Sequence, residues 1–305
     1  MSRLIRIGTR ASKLARAQAE MVRAALAATA PGLTFEIVAM TTAGDREVHK
    51  QFTDWGYKGL FTKELEDKLL SDEIDIAVHS MKDMPSVLPT GLTLAAMLPR
   101  ADVRDAWVSP NYATLADVPQ GGIIGTSSAR RAAQLLHRRP DIQVVAFRGN
   151  VETRLRKLDE GVALATFLAG AGLIRLGLEK HIRSFMAVED MLPAVAQGAV
   201  GIECREVRED VCALVARINH GPTMTCLDAE RAFLQVLDGS CRTPIAGLAT
   251  LSNHTIFIRG EVLSLDGTIR HYHELSGTAA YASALGIALG NELRDRAGEA
   301  LLNHG

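Results

Sequence analysis

The sequence predicts an α/β protein that ends in a small α+β C-terminal domain. Short apolar runs alternate with helix-patterned segments through the first two thirds of the chain. Small polar residues repeatedly join a strand end to a helix start, the pattern expected of parallel strands. After Gly221 and Pro222 the order changes to helix, paired strands and helix.

Leu4 to Thr9 reads as a strand, and Ser12 can cap an alanine-rich helix running to about Ala30. Thr34 to Thr42 is strand-like, and Lys63 to Leu70 is helical. Asp75 to His79 is a short apolar strand that ends in a polar turn, Ser80 to Pro85. A second unit begins near Pro99. It contains a strand at Gly122 to Gly125, with Ser127 and Ser128 as candidate caps for the next helix. Val144 to Arg148 is a further strand, followed by a helix over Val151 to Leu158 and an apolar run over Val162 to Ala169. In the C-terminal region a helix is expected from Cys226 to about Leu237. Two strands, Thr255 to Val262 and Thr268 to Ser276, flank an Asp266-Gly267 turn, and a last helix runs from about Ala279 to Leu302.

The 305 residues suffice for two or three domains, and 47% hydrophobic residues provide a substantial core. A net charge of -1 argues against a general nucleic-acid or membrane binder. Cys204, Cys212, Cys226 and Cys241 form no CxxC pair and are too few for a disulfide framework, so no metal site is expected and a reducing compartment is. The first six residues lack the apolar stretch of a secretory signal, and no apolar run approaches the ~18 residues that span a bilayer. The expectation is a cytoplasmic protein.

Five constellations carry chemistry. In Gly125 to Arg131 a strand ends in Thr126, Ser127 and Ser128 at a helix start, with Arg130 and Arg131 in the first turn. Exposed N–H groups, the helix dipole and guanidinium forks favour an anion there, although a serine cap with surface arginines accounts for the same residues. From Thr126 to Lys157 there are eight basic residues, including Arg148 and Arg154, against two acidic ones, Asp141 and Glu152. A solvated basic face accounts for the same residues, but with few aromatics and no Walker loop this density at strand–helix turns points to a ligand carrying several carboxylates rather than to nucleic acid. In His79 to Pro85, Ser80 and Lys82 offer donors and Asp83 an anion that can stabilise a cationic group or simply cap its own turn. Arg10 and Ser12 stand at another strand-to-helix junction, and Lys58 in a glycine-flanked loop; taken singly, each is more often just a turn. Finally, Cys241 lies in a loop between Gly239 and Pro244, where Arg242 beside it favours thiolate, although a solvent-accessible cysteine of no consequence accounts for the same residues.

Eight ordered segments together resemble the hydroxymethylbilane synthase (porphobilinogen deaminase) family. They are IGTRASKLA, KGLFTKELE, DIAVHSMKDMP, GTSSARRAAQL, RGNVETRLRKLD, GLIRLGLE, PAVAQGAVGIECR and the Cys241 loop. The resemblance implies two lobes like those of a periplasmic binding protein, with the site in the cleft, plus a small third domain. Their boundaries would be 1–98 with 199–217, 99–198 and 218–305. It implies a transferase that condenses four porphobilinogen molecules onto a dipyrromethane cofactor, held as a thioether by Cys241, and then releases hydroxymethylbilane. Asp83 matches the catalytic carboxylate that stabilises the cation left when ammonia departs. Cofactor contacts match Lys58, Ser80, Lys82, Asp83, Thr126, Ser127, Ser128, Arg130 and Arg131. Substrate contacts match Arg10, Ser12, Arg148, Arg154, Arg175 and Gln197. No metal, nucleic-acid or membrane partner is implied, and a monomer is.

The chain departs from the family pattern in four places. Asp54 stands where relatives often have lysine, Tyr57 where they usually have glycine, and Ser240 where glycine precedes the cysteine. Val162 to Leu164 lacks a common acidic residue. The rival class is a non-catalytic, two-lobed polycarboxylate-binding protein, which would need neither Cys241 nor a third domain.

Overall fold

The computed structural model describes residues 3–42, 61–237 and 243–303. Lys58 and Cys241 lie outside these residues, as do Asp54, Tyr57 and Ser240. Two compact units emerge, Met1–Ala101 with Gly198–Met224, and Asp102–Gln197 with Thr225–Gly305.

In the first unit the chain runs through β1 (Leu4–Arg10), α1 (Lys13–Thr29), β2 (Thr34–Met40), α2 (Lys63–Leu70), β3 (Ile76–Ser80) and β4 (Leu92–Met97). It returns later to this unit as β10 (Val200–Arg205) and α6 (Glu209–Ala216). The sheet order is β2-β1-β3-β10-β4. On α1 the apolar spacing Ala15, Ala19, Val22, Leu26 makes one buried stripe, which packs on Ile5, Ile7, Ile76, Val78 and Ile202. Ser12 caps α1 as expected, accepting from the Ala15 N–H.

The second unit contains β5 (Asp105–Val108), β6 (Ile123–Gly125), α3 (Ala129–Arg138), β7 (Gln143–Val145), α4 (Val151–Asp159), β8 (Ala165–Ala169), α5 (Gly170–Arg175) and β9 (Ser184–Phe185). Its sheet order, β7-β6-β8-β5-β9, repeats that of the first unit position for position. Trp107 and Phe167, both fully buried, meet at 5.2 Å in its core. The same unit carries most of α7 (Gly221–Val236), the sheet β11 (Ile245–Ser252), β12 (Thr255–Leu263), β13 (Arg270–Thr278), and α8 (Ala282–Asn303), which is interrupted at Gly298. Phe233 of α7 packs against this sheet so closely that a Cβ at Gly260 would lie 2.7 Å from its ring.

Three expectations need correction. The lobes are not wholly parallel: β10 runs antiparallel to β3 and β4, and β5 antiparallel to β8 and β9. In each sheet the antiparallel strand is the one the chain supplies on passing from one lobe to the other. The C-terminal sheet has three strands, because the run from Ile245 is also a strand; its central Gly247 masks the usual alternation. Helix α7 begins at Gly221 rather than Cys226, since Pro222 sits in the first turn, where its missing N–H would be unpaired anyway.

Candidate active site

In the first unit, β1 and β3 are parallel neighbours, so their C-terminal ends lie at one sheet edge. That edge gathers Arg10, Ser12 and the Ser80 to Asp83 turn, where ligand sites of α/β sheets form. Met81–Asp83 is a single 3-10 turn, and Lys82 and Asp83 are exposed on it. The Arg10 guanidinium lies 4.2 Å over the Phe61 ring, and its Nη1 is 3.9 Å from Asp83 Oδ2. The contact with Asp83 is an electrostatic approach rather than a hydrogen bond, so the carboxylate keeps its accepting capacity. Ser80 Oγ meets both ends of the Gln18 amide, at 2.8 Å from Nε2 and 3.0 Å from Oε1. Gln18 escaped the sequence reading. Its signal was a polar residue beside Ala19 on the buried stripe of α1.

Behind the turn, buried His79 Nε2 lies 2.9 Å from Glu203 Oε2 across the β3–β10 pair. Burial pushes the Glu66 carboxyl of α2 above its ordinary value, and the charge of Glu203 adds to the shift.

In the second unit the three hydroxyls are used locally. Ser128 caps α3 by accepting from the Arg131 N–H, Thr126 Oγ1 accepts from the Ser128 N–H, and Ser127 Oγ accepts from the Phe147 N–H. Gly125 is required before them, because a Cβ there would lie 2.5 Å from Phe147. Arg130 and Arg131 both turn inward to Asp105, at 2.8 and 2.6 Å, and all three side chains are buried. Arg130 also donates to the Leu192 carbonyl, and Arg131 to that of Phe167. Burial alone would push Asp105 up, but the two guanidiniums hold its carboxyl well below the usual range. Burial pulls Arg130 below its ordinary value. Its Nε is buried and makes no hydrogen bond among the described residues. Gln197 joins the cluster, its amide donating to Asp105 Oδ1 at 3.0 Å and to the Val103 carbonyl at 2.8 Å.

Two carboxylates of this cluster were missed. Asp105 lies outside the basic segment over which acidic residues were counted, and the β5–β8 pairing brings it to α3. Glu230 of α7 accepts from the N–H groups of Ala196 (2.6 Å) and Ala249 (2.7 Å). It thereby holds Ala196 in a left-handed conformation, φ 61°, directly before Gln197.

The other expected residues occupy separate elements. Arg148 is half-buried in the turn before α4, where its carbonyl accepts from Lys157 Nζ. Arg154 on α4 donates from Nε to the Gly149 carbonyl. Arg175 ends α5, and burial lowers its pKa.

A family model described as the porphobilinogen deaminase, dipyromethane cofactor binding domain, matches residues 5–213, and one for the porphobilinogen deaminase C-terminal domain matches 224–295. A porphobilinogen deaminase of Paracoccus denitrificans is 52% identical over 96% of this chain and 94% of its own length. A chloroplastic porphobilinogen deaminase of Pisum sativum is 49% identical over 98% of this chain and 84% of its own. That of Chromobacterium violaceum is 47% identical over 97% and 96%. Among solved structures, the methionine binding protein MetQ aligns with 70% of this chain and 89% of its own at 12% identity, with a TM-score of 0.46.

Proposed function

Because this chain belongs to the porphobilinogen deaminase family, we propose how its own residues carry out the family's reaction. The activity is that of hydroxymethylbilane synthase, a transferase of tetrapyrrole biosynthesis. Four porphobilinogen molecules are joined with loss of ammonia onto a covalent dipyrromethane cofactor, and the linear product is then released by hydrolysis. This reaction separates the chain from a non-catalytic polycarboxylate-binding protein.

The observation that carries the residue assignment is the exposed Asp83 carboxylate beside Arg10 at the end of β3. Asp83 accepts hydrogen bonds from pyrrole N–H groups and stabilises positive charge developing as the substrate amine leaves. Arg10, braced on Phe61, binds a substrate carboxylate without neutralising Asp83. Ser80 is oriented by Gln18, and Ser12 by its capping bond; both hydroxyls, with Lys82, complete the polar edge of the first unit.

The donor set of the second unit fits a group that bears several carboxylates. The orphaned Arg130 Nε is a buried donor that such a carboxylate would satisfy. Arg130 and Arg131 act with Thr126, Ser127 and Ser128 on the cofactor. Arg148, Arg154, Arg175 and Gln197 act on the substrate and the growing chain. When bound, the dipyrromethane supplies the pyrrole position onto which the product is built. Cys241 is its point of attachment and Lys58 a further contact.

We place the three domains at 1–98 with 199–217, 99–198 and 218–305. The protein works as a cytoplasmic monomer on a small-molecule substrate, with no nucleic-acid, membrane or metal partner. The net charge of -1 argues against a general nucleic-acid or membrane binder, and no described helix is long and apolar enough to cross a membrane. Mass spectrometry of the denatured protein tests the assignment. A covalent two-pyrrole increment is expected in the wild type and absent in Cys241→Ala; an increment that persists in the variant removes Cys241 from its role.

A further inference from the structure

Two cysteines that the reaction leaves unused stand together in the first unit. Cys204 is fully buried near the end of β10, Cys212 is half-buried on α6, and their sulfurs are 3.2 Å apart. Cys212 Sγ also lies 3.5 Å from the Arg205 carbonyl oxygen. A disulfide sets its sulfurs about 2.05 Å apart, so closing this pair asks for a sulfur movement of roughly 1.2 Å. The third described cysteine, Cys226, is buried on α7. The strand that carries Cys204 also backs the candidate catalytic turn, because Val200 pairs with Ser80 and Glu203 holds His79.

We propose that Cys204 and Cys212 form a reversible disulfide modification site, closed by small-molecule disulfides and opened by thiols, that staples α6 to β10. Cys212 is the entry point because it is the more exposed of the two. Its thiolate attacks one sulfur of the reagent disulfide, forms a mixed disulfide and expels the other half as a thiolate, which takes up a proton. The Cys204 sulfur then attacks Cys212 Sγ and expels the second half, and the proton that Cys204 loses is taken up by that departing thiolate. The two protein thiols lose two electrons, and one reagent disulfide becomes two thiols. Burial pushes the Cys204 thiol far up, and its hydrogen bond to the Cys212 thiol and the charge of that group add to the effect. Consumption of Cys212 removes those two added restraints, which orders the steps.

The test treats the cofactor-loaded enzyme with oxidised glutathione, blocks remaining thiols with N-ethylmaleimide, and maps tryptic peptides without reduction. Cleavage at Arg205 and Arg208 separates the two cysteines, so a Cys204–Cys212 bond joins two distinct peptides. The joined pair is expected in wild type, lost on adding dithiothreitol, and absent in Cys212→Ser. Cys212 alkylation in the native protein should fall at least ~10-fold after oxidation. Cys204→Ala, a smaller apolar side chain at the buried position, provides a second variant; here the mixed disulfide on Cys212 should persist. Wild-type protein that stops at the mixed disulfide, or links Cys212 to another cysteine, overturns the proposal.

Discussion

Arg131 donates to Asp105 at 2.6 Å across the α3–β5 contact, with both side chains cut off from solvent. Arg130 reaches the other carboxylate oxygen at 2.8 Å, so one anion anchors two adjacent cations of the helix expected to face the cofactor. Asp105→Asn leaves two buried guanidiniums without their counter-charge and should cost ~3–5 kcal/mol in urea unfolding. Protein isolated without cofactor should suffer more than loaded protein, whose ligand carboxylates replace part of the lost charge. Equal losses in both forms would mean that no ligand carboxylate approaches these arginines.

The same pairing sets an acid limb of stability. Asp105, opposed by burial but held by Arg130 and Arg131, and Asp75, opposed by burial but held by Arg6, are both depressed in the folded state. A depressed carboxylate contributes stability that is fully present above its unfolded value and is lost as pH falls toward the folded one. The unfolded chain takes up protons first, so stability should fall as pH drops below about 4. Unfolding free energies measured across that range should fall less steeply in Asp75→Asn than in wild type.

Asp83→Asn keeps the shape of the turn and removes its charge. Given the role proposed for this carboxylate, kcat should fall by at least ~10² while substrate affinity changes far less. A near-wild-type kcat would remove Asp83 from the chemical step.

Replacing Arg10 by Lys preserves charge but removes both the planar stack on Phe61 and the two-pronged grip on a carboxylate. Arg10→Lys and Arg148→Lys should therefore slow elongation, and covalent intermediates should accumulate in mass spectra. Lys replacements of Arg130 or Arg131 should instead impair loading of the cofactor. An unchanged intermediate distribution in Arg10→Lys and Arg148→Lys would defeat this division of labour.

Glu230 connects the third sheet to the site through two backbone N–H groups. Glu230→Gln can satisfy only one of them and turns an amide N–H toward the other, at a cost of ~1–3 kcal/mol. Hydrogen exchange at Ala196 and Ala249 should accelerate beyond what global destabilisation explains. If both amides stay as protected as the rest of the core, Glu230 does not hold the Ala196 turn.

By itself the sequence determined whatever depends on neighbours along the chain. Ser12 and Ser128 cap their helices because a cap needs only an N–H a few residues on, and the apolar stripe of α1 follows helical spacing. The residue types in the HSMKD and GTSSARR segments were enough to locate the candidate site and, through resemblance, its chemistry. Tertiary structure decided strand direction, since an apolar run such as that of β10 reads the same in either sense. It also decided which charges meet. Asp105 precedes Arg130 by 25 residues, yet sheet pairing makes it the shared counter-ion of Arg130 and Arg131 and buries these two members of the basic cluster. Gln18 and Glu230 escaped notice for the same reason: a polar side chain on a buried face shows its purpose only when the fold supplies its partner.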